Sequence, residues 1–389
     1  MRRITNIRLP RRPNGTNAEA SEHWSALVDD AGRLQALTPM RAGASMAGEN
    51  WHGDWLSPMG VDLQINGGLG LAFPELQDRD LPRLLELLDL LWEDGVEAIS
   101  PTLVTCGIAP LRQALAVLHT ARAHAQPRRC RLLGAHLEGP FLEEARRGAH
   151  PREHLCMPSL DALNARISGF ENDIALVTLA PELEGAGAVI TRLRELGITV
   201  ALGHSAATAD QAKQAFLEGV GMLTHAFNAM PGLHHRAPGP LAEACRSGRV
   251  ALGLIADGVH VHPTMAVLLQ QLAGDQLVLV SDALAPYGLA DGQHRWDERV
   301  LLVEKGTCRL EDGTLAGVTL PQLEGASRLA AWGQRPEASI WAATIAPRAV
   351  IAPEISRDAA HQLVGCSLDT LLRWRWDHNQ SRLHWQHAA

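Results

Sequence analysis

The sequence has 389 residues, a net charge of −8 and 46% hydrophobic residues, so the chain is long enough to bury a large core. The apolar content excludes a disordered protein, and the longest apolar runs are far too short to span a bilayer. An acidic chain without clustered Lys and Arg argues against nucleic acid or a membrane surface as the main partner. The length fits two to three average domains, or one α/β barrel with a small additional domain.

The cysteines and the beginning of the chain predict a cytoplasmic, reducing setting. Six cysteines are scattered along the sequence without CxxC or zinc-finger spacing. The first residues are basic, but no apolar stretch of signal-peptide length follows them.

Short apolar runs alternate with amphipathic helical patterns from about residue 59 onward. The eight apolar runs, each expected to form a strand, are 60–64, 98–103, 131–137, 174–179, 199–204, 222–225, 250–256 and 276–281. The helical patterns between them are 81–92, 110–124, 159–167, 185–196, 208–219, 240–246 and 263–272. Eight strands separated by crossover helices predict a (β/α)8 barrel of the TIM type. A doubly wound open sheet is the alternative, because the number of strands does not fix closure.

The segment after the eighth run predicts a hairpin at 299–303 and 307–310, followed by helices at 323–332 and 337–344. Residues 350–389 are polar and poorly periodic, so we expect only one or two closing strands there.

Polar side chains of the kinds that bind metals or move protons stand where the predicted strands end. In a barrel, the chemistry lies at these carboxyl ends, where the loops to the helices begin. The residues at these positions are Gln64, Asn66, Thr102, Thr105, His136, Glu138, Glu182, His204, His225, Asp257, His260 and Asp282. Because the ends of different strands meet at one mouth, we expect these side chains to form a single site.

Glu138, His204 and His225 have the composition of a three-ligand divalent metal site. One carboxylate and two imidazoles suit Zn²⁺ or Fe²⁺ and leave a coordination position for water. Asp282, across the mouth, would accept the proton of that water and deliver it to a leaving group. We assign His136 to a supporting position behind the ligands.

Several motifs, in unbroken order over roughly residues 57–350, carry a family resemblance. They are His-Leu-Glu-Gly-Pro-Phe at 136–141, Gly-Ala-His at 148–150, Thr-Leu-Ala-Pro-Glu at 178–182, Gly-His-Ser at 203–205, Thr-His-Ala-Phe-Asn-Ala-Met at 224–230, Ile-Ala-Asp-Gly-Val-His at 255–260, Val-Ser-Asp-Ala at 280–283 and Gly-Thr-Leu-Ala-Gly at 313–317. Together they resemble the N-acetylglucosamine-6-phosphate deacetylase family of the amidohydrolase superfamily.

The resemblance implies a metal-dependent barrel over residues 58–349 and a small β-sandwich domain built from 1–57 and 350–389. It implies hydrolysis of the acetamide of N-acetylglucosamine 6-phosphate, giving glucosamine 6-phosphate and acetate, in amino-sugar metabolism. It further implies one divalent ion per subunit, with Zn²⁺ expected and Fe²⁺ as the alternative.

Carried over by position, Glu138, His204 and His225 look like the metal ligands, and Asp282 looks like the catalytic acid and base. The residues that resemble substrate contacts are Ala149, His150, Asn228, Ala229, His260, Leu315, Ala316 and Gly317. Arg236 resembles an arginine that reaches the phosphate in the neighbouring subunit's active site, which implies a homodimer.

This sequence departs from the usual pattern in two places. Many amidohydrolases carry His-x-His after strand 1 for a second metal, whereas Gln64 and Asn66 stand at those positions here, which predicts a single metal. Residues 318–321 and the tail after 350 also differ. The alternatives are an amidohydrolase acting on another N-acyl amino sugar or a cyclic amide, and a catalytically silent homologue that binds sugar phosphates.

Overall fold

The computed structural model describes residues 1–13, 22–41, 46–296, 299–355 and 358–389. Its strands are, in chain order, β1 (Arg2–Ile7), β2 (Trp24–Val28), β3 (Leu34–Pro39), β4 (Glu49–Asn50), β5 (Trp55–Pro58), β6 (Gly60–Ile65), β7 (Gly67–Gly68), β8 (Leu71–Ala72), β9 (Val96–Val104), β10 (Arg131–Leu132), β11 (Ala135–Glu138), β12 (Ile174–Leu179), β13 (Thr199–Leu202), β14 (Met222–Leu223), β15 (Ala251–Ile255), β16 (Leu277–Val280), β17 (Gly292–Trp296), β18 (Arg299–Glu304), β19 (Thr307–Leu310), β20 (Leu315–Val318), β21 (Leu371–Asp377) and β22 (Arg382–His387). Its α-helices are α1 (Leu81–Glu93), α2 (Ile108–Arg122), α3 (Leu160–Ile167), α4 (Ala186–Glu195), α5 (Ala209–Glu218), α6 (Gly239–Ser247), α7 (Pro263–Ala273), α8 (Gln322–Gly333), α9 (Pro336–Thr344), α10 (Arg348–Ile351) and α11 (Ala359–Leu363).

Parallel strands in sequential order confirm the predicted (β/α)8 barrel. The barrel strands pair in the order β6, β9, β11, β12, β13, β14, β15 and β16. The short strand β10 precedes β11 in the chain and also pairs with β9 in parallel. The barrel is nearly closed between its first and last strands, where Asp282 N donates to Gln64 O at 2.8 Å and Asn66 N to Ala283 O at 2.7 Å. The alternative of a doubly wound open sheet is wrong, because the strand order never reverses.

Apolar patterning accounts for the barrel elements. Every residue of β6 is buried, as expected for a parallel strand that helices cover. Helix α1 buries Leu84, Leu87, Leu88 and Leu91, which share one helix face. Helix α5 begins at a capping box between Thr208 and Gln211 and ends at Gly219, whose φ of 108° is in the left-handed region.

A four-stranded antiparallel sheet, β17–β20, follows the last barrel strand; we call it the inserted sheet. The hairpin predicted from the sequence forms β18 and β19, but the two outer strands were not predicted. A small hydrophobic cluster that includes Ala72, Leu284, Trp296, Leu301 and Cys308 packs this sheet against the barrel mouth. The inserted sheet therefore forms one wall above the carboxyl ends of the barrel strands.

The chain ends form two further sheets, ordered β3-β2-β1-β4 and β22-β21-β5. Backbone bonds join the two ends of the chain, from Gly365 N to Leu34 O at 2.8 Å and from Leu368 N to Gly32 O at 2.9 Å. The division into a barrel over 58–349 and a small domain from 1–57 and 350–389 stays a prediction. No helix in the described ranges is long and apolar enough to cross a membrane.

Asp62, a buried carboxyl in β6, leads to a prediction about stability. Its side chain accepts hydrogen bonds from Gln64 N at 3.2 Å and Ser281 N at 3.1 Å, and burial raises the pKa of Asp62 to about 7. A carboxyl with a raised pKa stabilises the native state while it is protonated, and this stabilisation is lost as the pH rises towards 7. We expect Asp62→Asn to remove this loss. The free energy of unfolding of the variant relative to the wild type, measured in urea, should therefore be a few kcal/mol higher at pH 8 than at pH 4. A constant difference across this range would contradict the prediction.

Candidate active site

A cavity of about 950 Å³ opens at the carboxyl ends of the barrel strands. The strand ends form the floor of the cavity, and the loop 147–154 forms one side. A second side is formed by Trp296, Arg299 and residues 314–316, in and beside the inserted sheet. Such a mouth is where barrels hold their chemistry, because loops from every strand meet there.

Three buried side chains on the cavity floor form one cluster. Glu138 ends β11, while His204 and His225 follow β13 and β14. Glu138 Oε1 lies 3.3 Å from His204 Nε2 and 3.0 Å from His225 Nε2, and the two Nε2 atoms are 3.0 Å apart. The structure therefore brings together the three side chains that the sequence predicted as a set.

The backbone turns sharply at these strand ends. His204, His225 and Asp282 have φ values of 48°, 25° and 51°, in a region that residues other than glycine rarely adopt. Strand β14 ends at Leu223, two residues before the predicted end at His225, where the backbone has this conformation. Strained backbone of this kind is concentrated at functional sites, where the surrounding structure holds it in place.

The donor set of the cluster fits a divalent metal ion. His204 Nδ1 donates to Arg146 O at 2.9 Å, which leaves the Nε2 lone pair directed at Glu138. Three ligands bonded at ~2.0–2.1 Å in a tetrahedron lie about 3.3 Å apart, close to the spacing of these three atoms. Burial alone would raise the pKa of Glu138, but the adjacent His204 and His225 rings hold it well below its usual range. The cluster can therefore bind a cation, and within the described ranges no other group of His, Cys, Asp and Glu has this geometry.

Gln64 and Asn66 connect Asp282 to this cluster. Asp282 Oδ1 accepts from Asn66 Nδ2 at 2.7 Å and from Gln64 Nε2 at 3.3 Å, and the same Gln64 nitrogen lies 3.1 Å from Glu138 Oε1. Burial and the charge of Glu138 raise the pKa of Asp282 to about 6. Asp282 is thus a carboxyl beside the metal-type cluster that can exchange a proton near neutral pH.

His150 lies beside the cluster as a neutral imidazole. His150 Nδ1 faces Thr105, at 3.3 Å from its backbone N and 2.9 Å from its hydroxyl Oγ1. His150 Nε2 lies 3.9 Å from Glu138 Oε2, on the side of the cluster. Because burial lowers the pKa of His150 to about 3, the ring is neutral at physiological pH.

The other predicted site residues fall into two groups. Those that line the cavity are Asn66, Thr105, Ala149, Asn228, Ala229, His260, Leu315 and Ala316. Those outside the lining are Gln64, Thr102, His136, Glu182, Arg236, Asp257 and Gly317, so the expectation that all strand-end side chains line one site is wrong for Thr102, Glu182 and Asp257. Gly317 still touches the site through its backbone, since a Cβ there would lie 2.7 Å from Asp282 O. Arg236 is exposed and does not line the cavity, so its predicted role stays a prediction.

His136 is inside the barrel and is not part of the cluster. Its Nδ1 lies 3.2 Å from Thr102 Oγ1 and its Nε2 2.7 Å from Thr178 Oγ1. Burial lowers the pKa of His136 to about 4, so it packs as a neutral ring. Its supporting role stays a prediction.

Sequence reasoning missed Arg299 and Trp296, which line the cavity from the inserted sheet. The Arg299 guanidinium stacks 4.4 Å from the centre of the Trp296 ring and donates to Ala149 O at 2.8 Å. Neither residue stands at the end of a barrel strand, so the signal that found the other residues was missing.

Comparison with known proteins gives a consistent set of relatives, although no protein-family model matches the chain. N-acetylglucosamine-6-phosphate deacetylase of Caenorhabditis elegans is 36% identical, over 67% of this chain and 64% of that protein. N-acetylgalactosamine-6-phosphate deacetylase of Escherichia coli O157:H7 is 35% identical, over 68% of this chain and 69% of the relative. N-acetylglucosamine-6-phosphate deacetylase of Vibrio furnissii is 33% identical, over 74% of this chain and 71% of the relative.

A solved structure extends the likeness to the whole chain. The crystal structure of N-acetyl-D-glucosamine-6-phosphate deacetylase from Mycobacterium smegmatis superposes with a TM-score of 0.80 at 27% identity. The superposition covers 100% of this chain and 99% of that one.

Proposed function

The chain belongs to the N-acetylglucosamine-6-phosphate deacetylase family of the amidohydrolase superfamily, and from this we propose that it hydrolyses the acetamide of N-acetyl-D-glucosamine 6-phosphate. The products are D-glucosamine 6-phosphate and acetate, and the reaction belongs to amino-sugar metabolism. The observation that carries the proposal is the buried Glu138, His204 and His225 cluster, with Asp282 and His150 beside it at the barrel mouth.

Glu138, His204 and His225 would hold one divalent ion, with Zn²⁺ expected before Fe²⁺ because a single carboxylate and two imidazoles suit zinc. An ion bound there lowers the pKa of a water molecule and polarises the amide carbonyl. Gln64 and Asn66 are neutral amides that already bond to Asp282, which supports one ion per subunit.

Asp282 and His150 would carry the proton and the hydrogen bond of the reaction. The ionised Asp282 accepts the proton of the attacking water and then delivers it to the nitrogen as the C–N bond breaks, so that the amine leaves neutral. We propose that His150 donates from Nε2–H to the carbonyl oxygen while negative charge builds there, and its position beside Glu138 supports this role. The mechanism thus uses each group in the protonation state that its surroundings favour.

For the sugar phosphate, we propose that Asn228, Ala229 and His260 bind the anionic end and that residues 315–317 line the sugar pocket. Arg236 of the partner subunit would complete the phosphate site, so the active form would be a homodimer. The exposure of the Arg236 loop supports this assignment, because the side chain is available to a second subunit. Six unpaired cysteines support the cytoplasmic setting predicted for the protein.

The test of the proposed function is acetate release from purified, zinc-loaded protein. Phosphorylated and unphosphorylated N-acetylglucosamine are compared, and we expect the phosphorylated sugar to be strongly preferred. Equal rates would favour an amidohydrolase for another N-acyl amino sugar. Binding of the sugar phosphate without turnover would favour a catalytically silent homologue.

A second candidate substrate is N-acetylgalactosamine 6-phosphate, because one relative at 35% identity carries that activity in its name. The two sugars differ only in the configuration at C4 and share the acetamide and the phosphate. The ratio of kcat/KM for the two epimers decides between them.

The raised pKa of Asp282 predicts the acidic limb of the pH profile. Burial and the charge of Glu138 raise the pKa of Asp282 to about 6, whereas a bound cation acts in the opposite direction. Because only the ionised carboxylate accepts a proton, we expect kcat to decline at or below about pH 6 as Asp282 becomes protonated. Steady-state kinetics from pH 4.5 to 8 test this, and a kcat that rises towards acid would contradict it.

A further inference from the structure

The turn after β15 contains a buried pair of side chains, Asp257 and His260, in which the carboxylate holds the imidazole. Asp257 Oδ1 accepts the backbone N–H groups of Val259 and His260, both at 2.9 Å. Asp257 Oδ2 lies 2.7 Å from His260 Nδ1. The side chains of Asp257 and His260 are 3% and 6% exposed, so the contact between them is shielded from bulk water.

The hydrogen bonds determine which face of His260 meets the cavity. Burial acts to raise the pKa of Asp257, but bonds from His260 and the backbone hold it below its usual value, so the carboxylate is ionised and only accepts. His260 Nδ1 therefore carries a proton, and Nε2 is the remaining ring nitrogen. His260 lines the cavity, so Nε2 is the ring nitrogen available to a ligand there.

Helix α8 braces the same turn from behind. Arg328 Nη1 donates to Asp257 O at 2.7 Å. Gly258 has a φ of 79°, and a Cβ there would lie 3.1 Å from the Trp332 ring. The backbone that follows Asp257 is thus held against α8, and the Asp257 carboxylate orients the His260 ring.

We propose that Asp257 is a positioning residue for phosphate recognition: it holds His260 Nδ1–H so that Nε2 faces the cavity and donates to the anionic end of the substrate. A histidine that donates from both nitrogens is an imidazolium, whose charge the buried carboxylate balances. The two backbone N–H groups and the imidazole occupy the oxygens of Asp257, so the carboxylate is not presented to the phosphate. This inference rests on the proposed function, because it takes the substrate to be phosphorylated.

The test is Asp257→Asn, whose amide oxygen keeps the bonds to Val259 N and His260 N but whose NH₂ group cannot accept from His260 Nδ1. We expect KM for N-acetylglucosamine 6-phosphate to rise about 10- to 100-fold, with kcat within a few-fold of the wild type. We also expect kcat/KM for unphosphorylated N-acetylglucosamine to stay unchanged. An equal loss on both sugars would overturn the proposal, because a merely structural role does not distinguish them.

Asp173 provides a matched control variant. It forms another Asp–His pair, with Asp173 Oδ2 2.9 Å from His119 Nδ1, and neither residue lines the cavity. Asp173→Asn should leave both substrates unaffected. His260→Asn should reproduce the loss seen in Asp257→Asn, and the double variant should lose no more than either one. Additive losses would overturn the proposal.

Binding measurements separate this inference from the proposed function. In calorimetry, glucosamine 6-phosphate should bind the wild type at least ~10-fold more tightly than it binds Asp257→Asn, while glucosamine should not distinguish the two proteins. If the wild type binds glucosamine 6-phosphate but hydrolyses nothing, the proposed function fails, and the binding ratio still decides the role of Asp257. A ratio near one would overturn it.

A measurement on the wild type covers the case in which Asp257→Asn does not fold. In ¹⁵N NMR spectra, His260 should be protonated at Nδ1, and its Nε2 resonance should move on addition of glucosamine 6-phosphate but not of glucosamine. If the Nε2 chemical shift does not change on addition of glucosamine 6-phosphate, the proposal is overturned.

Discussion

Asp282→Asn is expected to lower kcat for deacetylation about 10²- to 10⁴-fold, the range that a positioned acid or base contributes. Asparagine cannot accept the proton of water or return it to the leaving nitrogen, so both halves of the reaction are affected. The substitution should leave the site folded, since an asparagine oxygen can still accept from Asn66 Nδ2 and Gln64 Nε2. Asparagine also tolerates the φ of 51° at this position better than most residues.

Steady-state kinetics and metal analysis on the same Asp282→Asn sample provide the check. Metal content and the affinity for glucosamine 6-phosphate should match the wild type, because Asp282 lies outside the three-residue cluster. If the variant retains more than about a tenth of the wild-type kcat, Asp282 is not the catalytic acid and base.

Glu138→Gln is expected to weaken metal binding by more than ~100-fold and to reduce deacetylation to the level of metal-free protein, because an anionic ligand becomes a neutral amide. The glutamine oxygen can still accept from Gln64 Nε2, so the change removes charge and leaves the volume nearly unaltered. Competition with a chromogenic chelator measures the affinity, and activity is assayed at saturating and limiting zinc.

Glu182→Gln serves as the control for Glu138→Gln. Glu182 also follows a barrel strand, but its carboxylate accepts from Ser205 Oγ at 2.7 Å and from Ala206 N at 2.5 Å, so it holds a loop. We expect zinc affinity in this variant to remain within a few-fold of the wild type. Equal losses in the two variants would show that the effect is not specific to the Glu138 position.

The barrel and its cluster could be predicted from the sequence because both depend on local signals. Buried parallel strands read as continuous apolar runs, and the residue after each run stands at the mouth wherever the barrel closes. Glu138, His204 and His225 are separated by up to 87 positions in the sequence, yet each is found by its place relative to its own strand. The end of β14 was placed two residues late because the left-handed backbone at His225 leaves no mark in the apolar pattern.

The inserted sheet was only half predicted, for a physical reason. Strand β17 reads Gly-Gln-His-Arg-Trp and is buried only at Trp296, and β20 contains small residues, so neither shows strand alternation. Arg299 joins the site through a bond to Ala149 O, a contact between residues 150 positions apart. Likewise, the groups that hold His204 and His150 are distant in the sequence, and only the fold brings them together.

The measurement that tests the central claim most directly is a zinc titration of metal-free protein, with bound metal and acetate release from N-acetylglucosamine 6-phosphate recorded on the same samples. The structure predicts that activity rises in proportion to occupancy and reaches its limit at one ion per chain, held by Glu138, His204 and His225. Full activity in metal-free protein would contradict the account, as would one bound zinc per chain with no release of acetate.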